Sequence, residues 1–247
     1  MNKEVATKGT TAVGAPINFS FGADNLISQD IRLPKILLMQ AMSDYCLSGK
    51  ARPGELVESF EGSKLGDRKT PVQIIPFYFT NTWTVKKLIN WKYEFHAIED
   101  RGGSDIRREY KEVKDGVEYS NHRTLNIFAL IKNGNTAVPY MISFMNSSFK
   151  SAAQPFLNKT QLIKAEGKAP AHYTWNLGVD DDGNDKGKWV VFTLETAKDD
   201  NGKDIPNTNE EVQAAYMAYK SITDSLSSGA KIDMSDVAGN DGEQVPF

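Results

Sequence analysis

The chain has 247 residues, of which 40% are hydrophobic and 10% aromatic, so it can bury the core of one large domain or two small ones. Its single cysteine, Cys46, excludes an internal disulfide. No apolar run reaches the length of a membrane span, and the first 16 residues lack the apolar stretch of a signal peptide, so a cytoplasmic location is expected.

Charge is distributed unevenly along the chain. Residues 1–175 hold 23 Lys and Arg against 17 Asp and Glu, whereas residues 176–247 hold 6 against 15. A basic body with an acidic end is expected of a protein that binds a polyanion and whose own tail competes for the binding surface.

The first 45 residues begin with a polar segment and end with an apolar one. Residues 1–16 are polar and rich in Gly and Thr, which predicts a loose N-terminal arm. The apolar residues of 31–45 fit a helix that stops at Gly49, and they fit equally a buried strand through 35–40. Periodicity does not decide between the two.

The centre of the chain predicts strands. Residues 72–85 are rich in β-branched and aromatic side chains, and Pro76 predicts an edge or a bulge there. In 91–98 the alternation places Trp91, Tyr93, Phe95 and Ala97 on one face. Two hairpins follow, one turning at Asp115-Gly116 and one at 132–135. Their predicted strands are 105–114, 117–119, 123–131 and 137–145.

Helical periodicity appears twice in the second half. Ser147 or Ser148 is expected to cap a helix over 149–165, which Pro155 would kink or split. Thr208 or Asn209 is expected to cap a final helix over 210–226. Between the helices, two strands are predicted on either side of an acidic turn. These segments are 172–179, 180–185 and 188–196.

Together these elements predict a β-rich α+β fold. An OB-fold-like β-barrel with one inserted helix and a C-terminal helix fits them, and so does a β-sandwich with two helices. The predicted organisation is a flexible arm (1–16), one OB-like nucleic-acid-binding domain (17–228) and an acidic disordered tail (229–247).

Enzymatic chemistry is not predicted. The three histidines, His96, His122 and His172, are far apart in sequence and show no metal-ligand spacing. The acidic turn 180–185 does not fit the frame of a calcium-binding loop. We therefore expect no catalytic residue, metal or cofactor.

Single-stranded nucleic acid is the expected ligand. Such binding needs basic side chains along the phosphates and aromatic rings on which bases stack. The segment 83–93 mixes three aromatic residues with three lysines, and further basic residues follow it. The predicted nucleic-acid-binding residues are Lys86, Lys87, Trp91, Tyr93, Arg107, Arg108, Lys111 and Arg123.

The chain ends in Val245-Pro246-Phe247, preceded by the acids Asp241 and Glu243. This tip resembles the tail of bacterial and bacteriophage single-stranded DNA-binding proteins, which end in acids followed by an apolar residue, Pro and Phe. The resemblance implies non-sequence-specific binding of single-stranded DNA in phage replication, recombination and repair, in the host cytoplasm. It also implies that Asp241, Glu243, Pro246 and Phe247 recruit replication or recombination proteins.

Two other functions remain open from the sequence. One is a strand-annealing recombination accessory protein, which also binds single strands but forms rings or filaments. The other is a phage interaction protein that does not bind nucleic acid. The sequence does not decide whether the chain forms homo-oligomers.

Overall fold

The computed structural model describes residues 32–90, 92–100, 109–132, 138–185, 187–230 and 232. The described part is dominated by antiparallel strands, which form a sheet of three strands and a sheet of seven. The strands are β1 (Ile36–Leu38), β2 (Leu56–Glu58), β3 (Lys64–Gly66), β4 (Val72–Ile89), β5 (Lys92–Asp100), β6 (Lys111–Lys114), β7 (Val117–Ile131), β8 (Pro139–Phe144), β9 (Trp175–Asn184) and β10 (Gly187–Thr196). The helices are α1 (Asp44–Leu47), α2 (Asn146–Ser148), a π-helical turn (Phe149–Ala153), α3 (Gln154–Ala165), a 3-10 turn (Pro170–His172) and α4 (Asn209–Ser227).

Two long strands organise the larger sheet. β4 has 18 residues and β7 has 15, and they pair from Ile74–Ile131 to Lys87–Tyr119. At 3.3 Å per residue, β4 is about 60 Å long. Both strands are rich in β-branched and aromatic residues, which favour a pleated backbone.

Different strands flank the two halves of this central pair. In one half, β9 pairs with the beginning of β4 and β8 with the end of β7, so that five strands lie in the order β10-β9-β4-β7-β8. In the other half, β5 pairs with β4 and β6 pairs with β7. We call this second half, residues 82–90, 92–100 and 109–123, the arm; it is distinct from the N-terminal arm predicted over residues 1–16. Its two hairpins, β4–β5 and β6–β7, turn at the same end.

The small sheet β1-β2-β3 lies beside the five-stranded half. Its first strand contacts both β8 and β10. Next to it, Lys35 forms a bridge to Met141 of β8, whose amide donates to the carbonyl of Pro34 at 2.9 Å. β1 therefore fills the space between β8 and β10, which do not pair with each other in the described part of the chain.

The main core lies on one face of the five-stranded half, which we call the inner face. Leu125 and Ile127 of β7 point into it, together with Phe144 and Phe192 of the neighbouring strands. The π-helical turn and α3 cover this core through side chains such as Phe156, which is fully buried. On the opposite, outer face, α4 packs its Ile222 against a second cluster.

Several expectations from the sequence are confirmed. The fold is β-rich α+β, both hairpin pairings form, and α4 begins at the Thr208 cap. Pro76 lies beside a bulge in the β4–β7 register, and Pro155 lies where the π-helical turn gives way to α3. Residues 31–45 hold parts of both alternatives, since the described portion forms β1 and the start of α1.

Other local expectations were wrong. Neither Ser147 nor Ser148 caps a helix, because the two hydroxyls accept hydrogen bonds from Trp189 Nε1 and from the amide of Phe192 in β10. The acidic segment 180–185 is not all turn, because β9 continues through it to Asn184. Within the described part, no helix combines the length and apolar character that a membrane span requires.

Candidate nucleic-acid interface

The outer face of the arm carries a set of side chains fixed by strand register. Directly opposed residues of adjacent strands share a face. One row across the four strands of the arm is Phe95, Lys86, Ser120 and Lys111. Next to it on the same face, Tyr93 is opposite Leu88 and Glu118 is opposite Val113. Three residues of the predicted site, Tyr93, Lys86 and Lys111, thus lie on one surface, and Phe95, which was not among the predicted binding residues, lies there with them.

Part of this surface is open to solvent. Phe95 is 37% exposed and Val113 is 69% exposed. Tyr93 is half-buried, whereas Lys86 is buried. The accessible part of the outer face is therefore a ring and an apolar side chain beside the ammonium group of Lys111.

Glu118 holds two residues of this face together. Its carboxylate lies 2.8 Å from Lys111 Nζ and accepts a hydrogen bond from the Tyr93 hydroxyl. The Lys111 ammonium is also 5.6 Å from the centre of the Tyr93 ring. The bond to Lys111 lowers the pKa of Glu118 and raises the pKa of Lys111, while desolvation and Glu118 raise the pKa of Tyr93. All three groups therefore keep their ordinary charges at neutral pH.

A second polar cluster lies at the base of the arm, around the buried His122. Its Nδ1 lies 2.5 Å from Asn146 Oδ1, an atom that only accepts, so Nδ1 donates. The neutral ring then accepts the Ser120 hydroxyl at Nε2, 3.0 Å away. Burial, and secondarily the charge of Lys86, lower the pKa of His122. The ring is therefore neutral near pH 7 and fixes β7 to Asn146, the first residue of α2.

Between this cluster and α4, the outer face carries a buried polar band. Thr84 and Thr124 share a hydrogen bond of 2.7 Å, and Asn126 donates to Thr82 at 3.2 Å. Asn126 also accepts from Ser143 of β8 at 2.6 Å. Because buried polar groups are costly without partners, these bonds fix the register of β4, β7 and β8.

The remaining predicted residues lie elsewhere or outside the described residues. Lys87 and Arg123 lie on the inner face, where Lys87 is opposite Glu94 and Arg123 lies 4.4 Å from the centre of the Phe149 ring. Outside the described residues lie Trp91, Arg107, Arg108, Asp241, Glu243, Pro246 and Phe247.

The predicted alignment of β5 side chains was only partly right. Tyr93 and Phe95 share the outer face, but Ala97 is opposite Val85 on the inner face. The reason is a bulge, in which His96 is an extra residue that reverses the alternation.

A family model described as "Pam3 phage gp34-like protein" matches residues 10–231. The chain belongs to the Pam3 phage gp34-like protein family. The description agrees with the expected bacteriophage origin. No curated protein and no solved structure matches the chain.

In this Pam3 phage gp34-like chain, the sequence prediction did not include two residues of the candidate interface, Glu118 and Ser120. They alternate with His122 along β7, so all three side chains share a face. Their spacing of two residues was the sequence signal that could have placed them on one face of a strand. The residues that face them from β5 and β6 depend on register, which single-sequence patterns do not supply.

Proposed function

We propose that this phage protein binds single-stranded DNA without sequence preference, using the outer face of the arm, during phage DNA replication, recombination or repair. The observation that carries the proposal is the register that places Tyr93 and Phe95 on the same surface as Lys111, whose side chain is 56% exposed. Rings that stack on bases beside cations that contact phosphates are the requirements of single-strand binding.

The strand order supports an OB-like interpretation of the domain. If β4, β7, β8, β9 and β10 are the five strands of an OB-fold, the first pairs with the second and the fourth, and α3 is inserted between the third and the fourth. The loop between the first two strands and the face of the second and third strands are where OB-folds bind oligonucleotides. The arm occupies the position of that loop.

Charge favours the arm over the other end of the sheet. The β9–β10 hairpin, which corresponds to the last OB loop, carries the exposed acids Asp180, Asp181 and Asp182. Arg68 is bound to Asp181, with nitrogen–oxygen distances of 2.5 and 2.7 Å, and neutralises only one of them. Phosphates are repelled from this hairpin, so we place the DNA on the arm.

The acidic segment 233–247 completes the proposal. We infer that its acids compete with DNA for basic side chains, and that Pro246 and Phe247 bind replication or recombination proteins. Apolar anchors next to acids suit a pocket with a basic rim. The partners are thus single-stranded DNA and host or phage proteins.

The test is a titration with oligo-dT at low salt, monitored by tryptophan fluorescence. Two lysines provide a matched comparison, because Lys111 and Lys114 are both on β6, both 56% exposed and on opposite faces. We expect Lys111→Gln to weaken binding several-fold and Lys114→Gln to have a smaller effect. An equal effect of both variants would exclude the outer face, and no binding by the wild-type protein would reject the proposal.

A further inference from the structure

We propose that Glu118 is the residue that limits the affinity of the arm for single-stranded DNA, because it occupies the groups that the DNA would otherwise contact. This inference rests on the proposed function. Among the arm strand residues whose side chains the structure describes, Glu118 is the acid on the outer face, since Glu94, Glu99 and Glu112 are aligned with the inner face.

The geometry of Glu118 is that of a phosphate substitute. One carboxylate oxygen, Oε1, contacts both the Lys111 ammonium, at 2.8 Å, and the Tyr93 hydroxyl. Anionic oxygens of a nucleic-acid backbone bind the same donors. A phosphate that approaches Lys111 must therefore displace this oxygen, or it is repelled by the negative charge of the Glu118 carboxylate.

The contact also restrains the Tyr93 ring. The face of the ring that lies 5.6 Å from the Lys111 ammonium cannot also stack on a base, and the hydroxyl bond to β7 holds the ring in this orientation. Release of Glu118 therefore frees a cation and a ring together. The neighbouring Phe95 has no polar group to be held in this way, so it remains available in the free protein.

The arm supplies a matched control for this proposal. Glu112 binds Lys114 at 3.2 Å, and its side chain is 39% exposed, against 30% for Glu118. The two glutamates lie on adjacent strands but point to opposite faces. Glu118→Gln and Glu112→Gln change the net charge equally, so the difference between them isolates the outer face.

The experiment measures oligo-dT affinity of the full chain over a range of salt concentrations. We expect Glu118→Gln to bind at least about threefold more tightly than the wild type at low salt, with the gain shrinking as salt rises. Glu112→Gln should change affinity by less than half as much. In the Lys111→Gln background, Glu118→Gln should give little gain, because the released cation is then missing.

The outcomes separate this inference from the proposed function. If the wild type binds and Lys111→Gln weakens it, but Glu118→Gln matches Glu112→Gln, only the role of Glu118 is wrong. If neither the wild type nor any of the variants binds oligo-dT at low salt, both proposals fail. Should Glu118→Gln unfold, Glu118→Thr, which suits a strand, gives the same comparison.

Discussion

The side-chain amide of Gln40 bonds both polar groups of the Val190 main chain: Nε2 donates to the carbonyl at 2.7 Å, and Oε1 accepts from the amide at 3.3 Å. Val190 lies in β10, on the side that faces β1 rather than β9. Gln40 therefore acts as a short substitute for a strand, in the gap between β8 and β10 that β1 fills.

Replacement of Gln40 by Leu should lower the free energy of unfolding by about 1–3 kcal/mol, since it removes two hydrogen bonds and leaves main-chain groups of β10 without these partners. Urea unfolding and hydrogen exchange at the Val190 amide measure the effect. Gln154→Leu is the control, because Gln154 is exposed and bonds locally to Asn158 at 3.0 Å. Equal free energies of unfolding for the two variants would show that the Gln40 contact with β10 does not stabilise the fold.

The strand content of this fold could be predicted because β-branched and aromatic runs alternate with Asn-Gly and Asp-Gly turns. The turn at Asp115-Gly116, for example, has positive φ at both residues, which Asp and Gly tolerate. The long continuous strand β7 was not predicted, since its polar stretch through Ser120, Asn121 and His122 reads as a break. Those side chains are buried through hydrogen bonds that depend on distant residues, including Asn146.

The candidate site was predictable only in part, for the same reason. The mixture of aromatic and basic residues identified the arm, but the distribution of Lys86 and Lys87 between its faces depends on pairing with β7. The bulge at His96 has no signature in sequence, so the face of Ala97 was assigned wrongly. Contacts between strands that are distant in sequence, such as Tyr93 with Glu118, lie beyond local patterns.

Phe95 provides a direct test of base stacking on the arm. Phe95→Ala should weaken oligo-dT binding by about 5- to 150-fold, because stacking on one aromatic ring contributes about 1–3 kcal/mol per base. Tyr216→Ala is the control, since Tyr216 is a 56% exposed ring on α4, away from the arm. Fluorescence anisotropy with a labelled oligo-dT measures both. Equal affinities of the two variants would remove Phe95 from the interface.

His122 should make stability depend on pH. Its pKa is lowered in the folded state by burial and by Lys86, so the unfolded chain binds the proton more readily. Stability is therefore expected to fall as pH decreases from about 7, through the ordinary histidine value near 6.5, to the lowered pKa of the folded state. Below that pKa the loss is complete.

The variant His122→Gln should show a weaker pH dependence than the wild type over this range, because it lacks the titrating ring. His96→Gln is the control, since His96 is an exposed side chain on β5. Urea midpoints at several pH values between about 5 and 8 measure the dependence. A pH dependence of His122→Gln as steep as that of the wild type would assign the effect to other groups.

The acidic tail should weaken DNA binding through its charge and not through its last aromatic residue. Replacement of its four acids by the corresponding amides, Asp by Asn and Glu by Gln, should tighten oligo-dT binding at low salt. The reason is that a tethered anion competes at a local concentration in the millimolar range. The gain should diminish as salt screens the attraction. The substituted residues are Asp233, Asp236, Asp241 and Glu243.

Phe247→Ala serves as the comparison within the same tail. It leaves every charge in place, so its affinity for oligo-dT should equal that of the wild type, while binding of a partner protein through the tail should be lost. Titrations of the wild type and both variants at low and at raised salt measure these effects. If the amide variant binds no more tightly than the wild type at low salt, the tail does not compete with DNA. A change in DNA affinity by Phe247→Ala alone would instead indicate that the ring contacts the strand or the body of the protein.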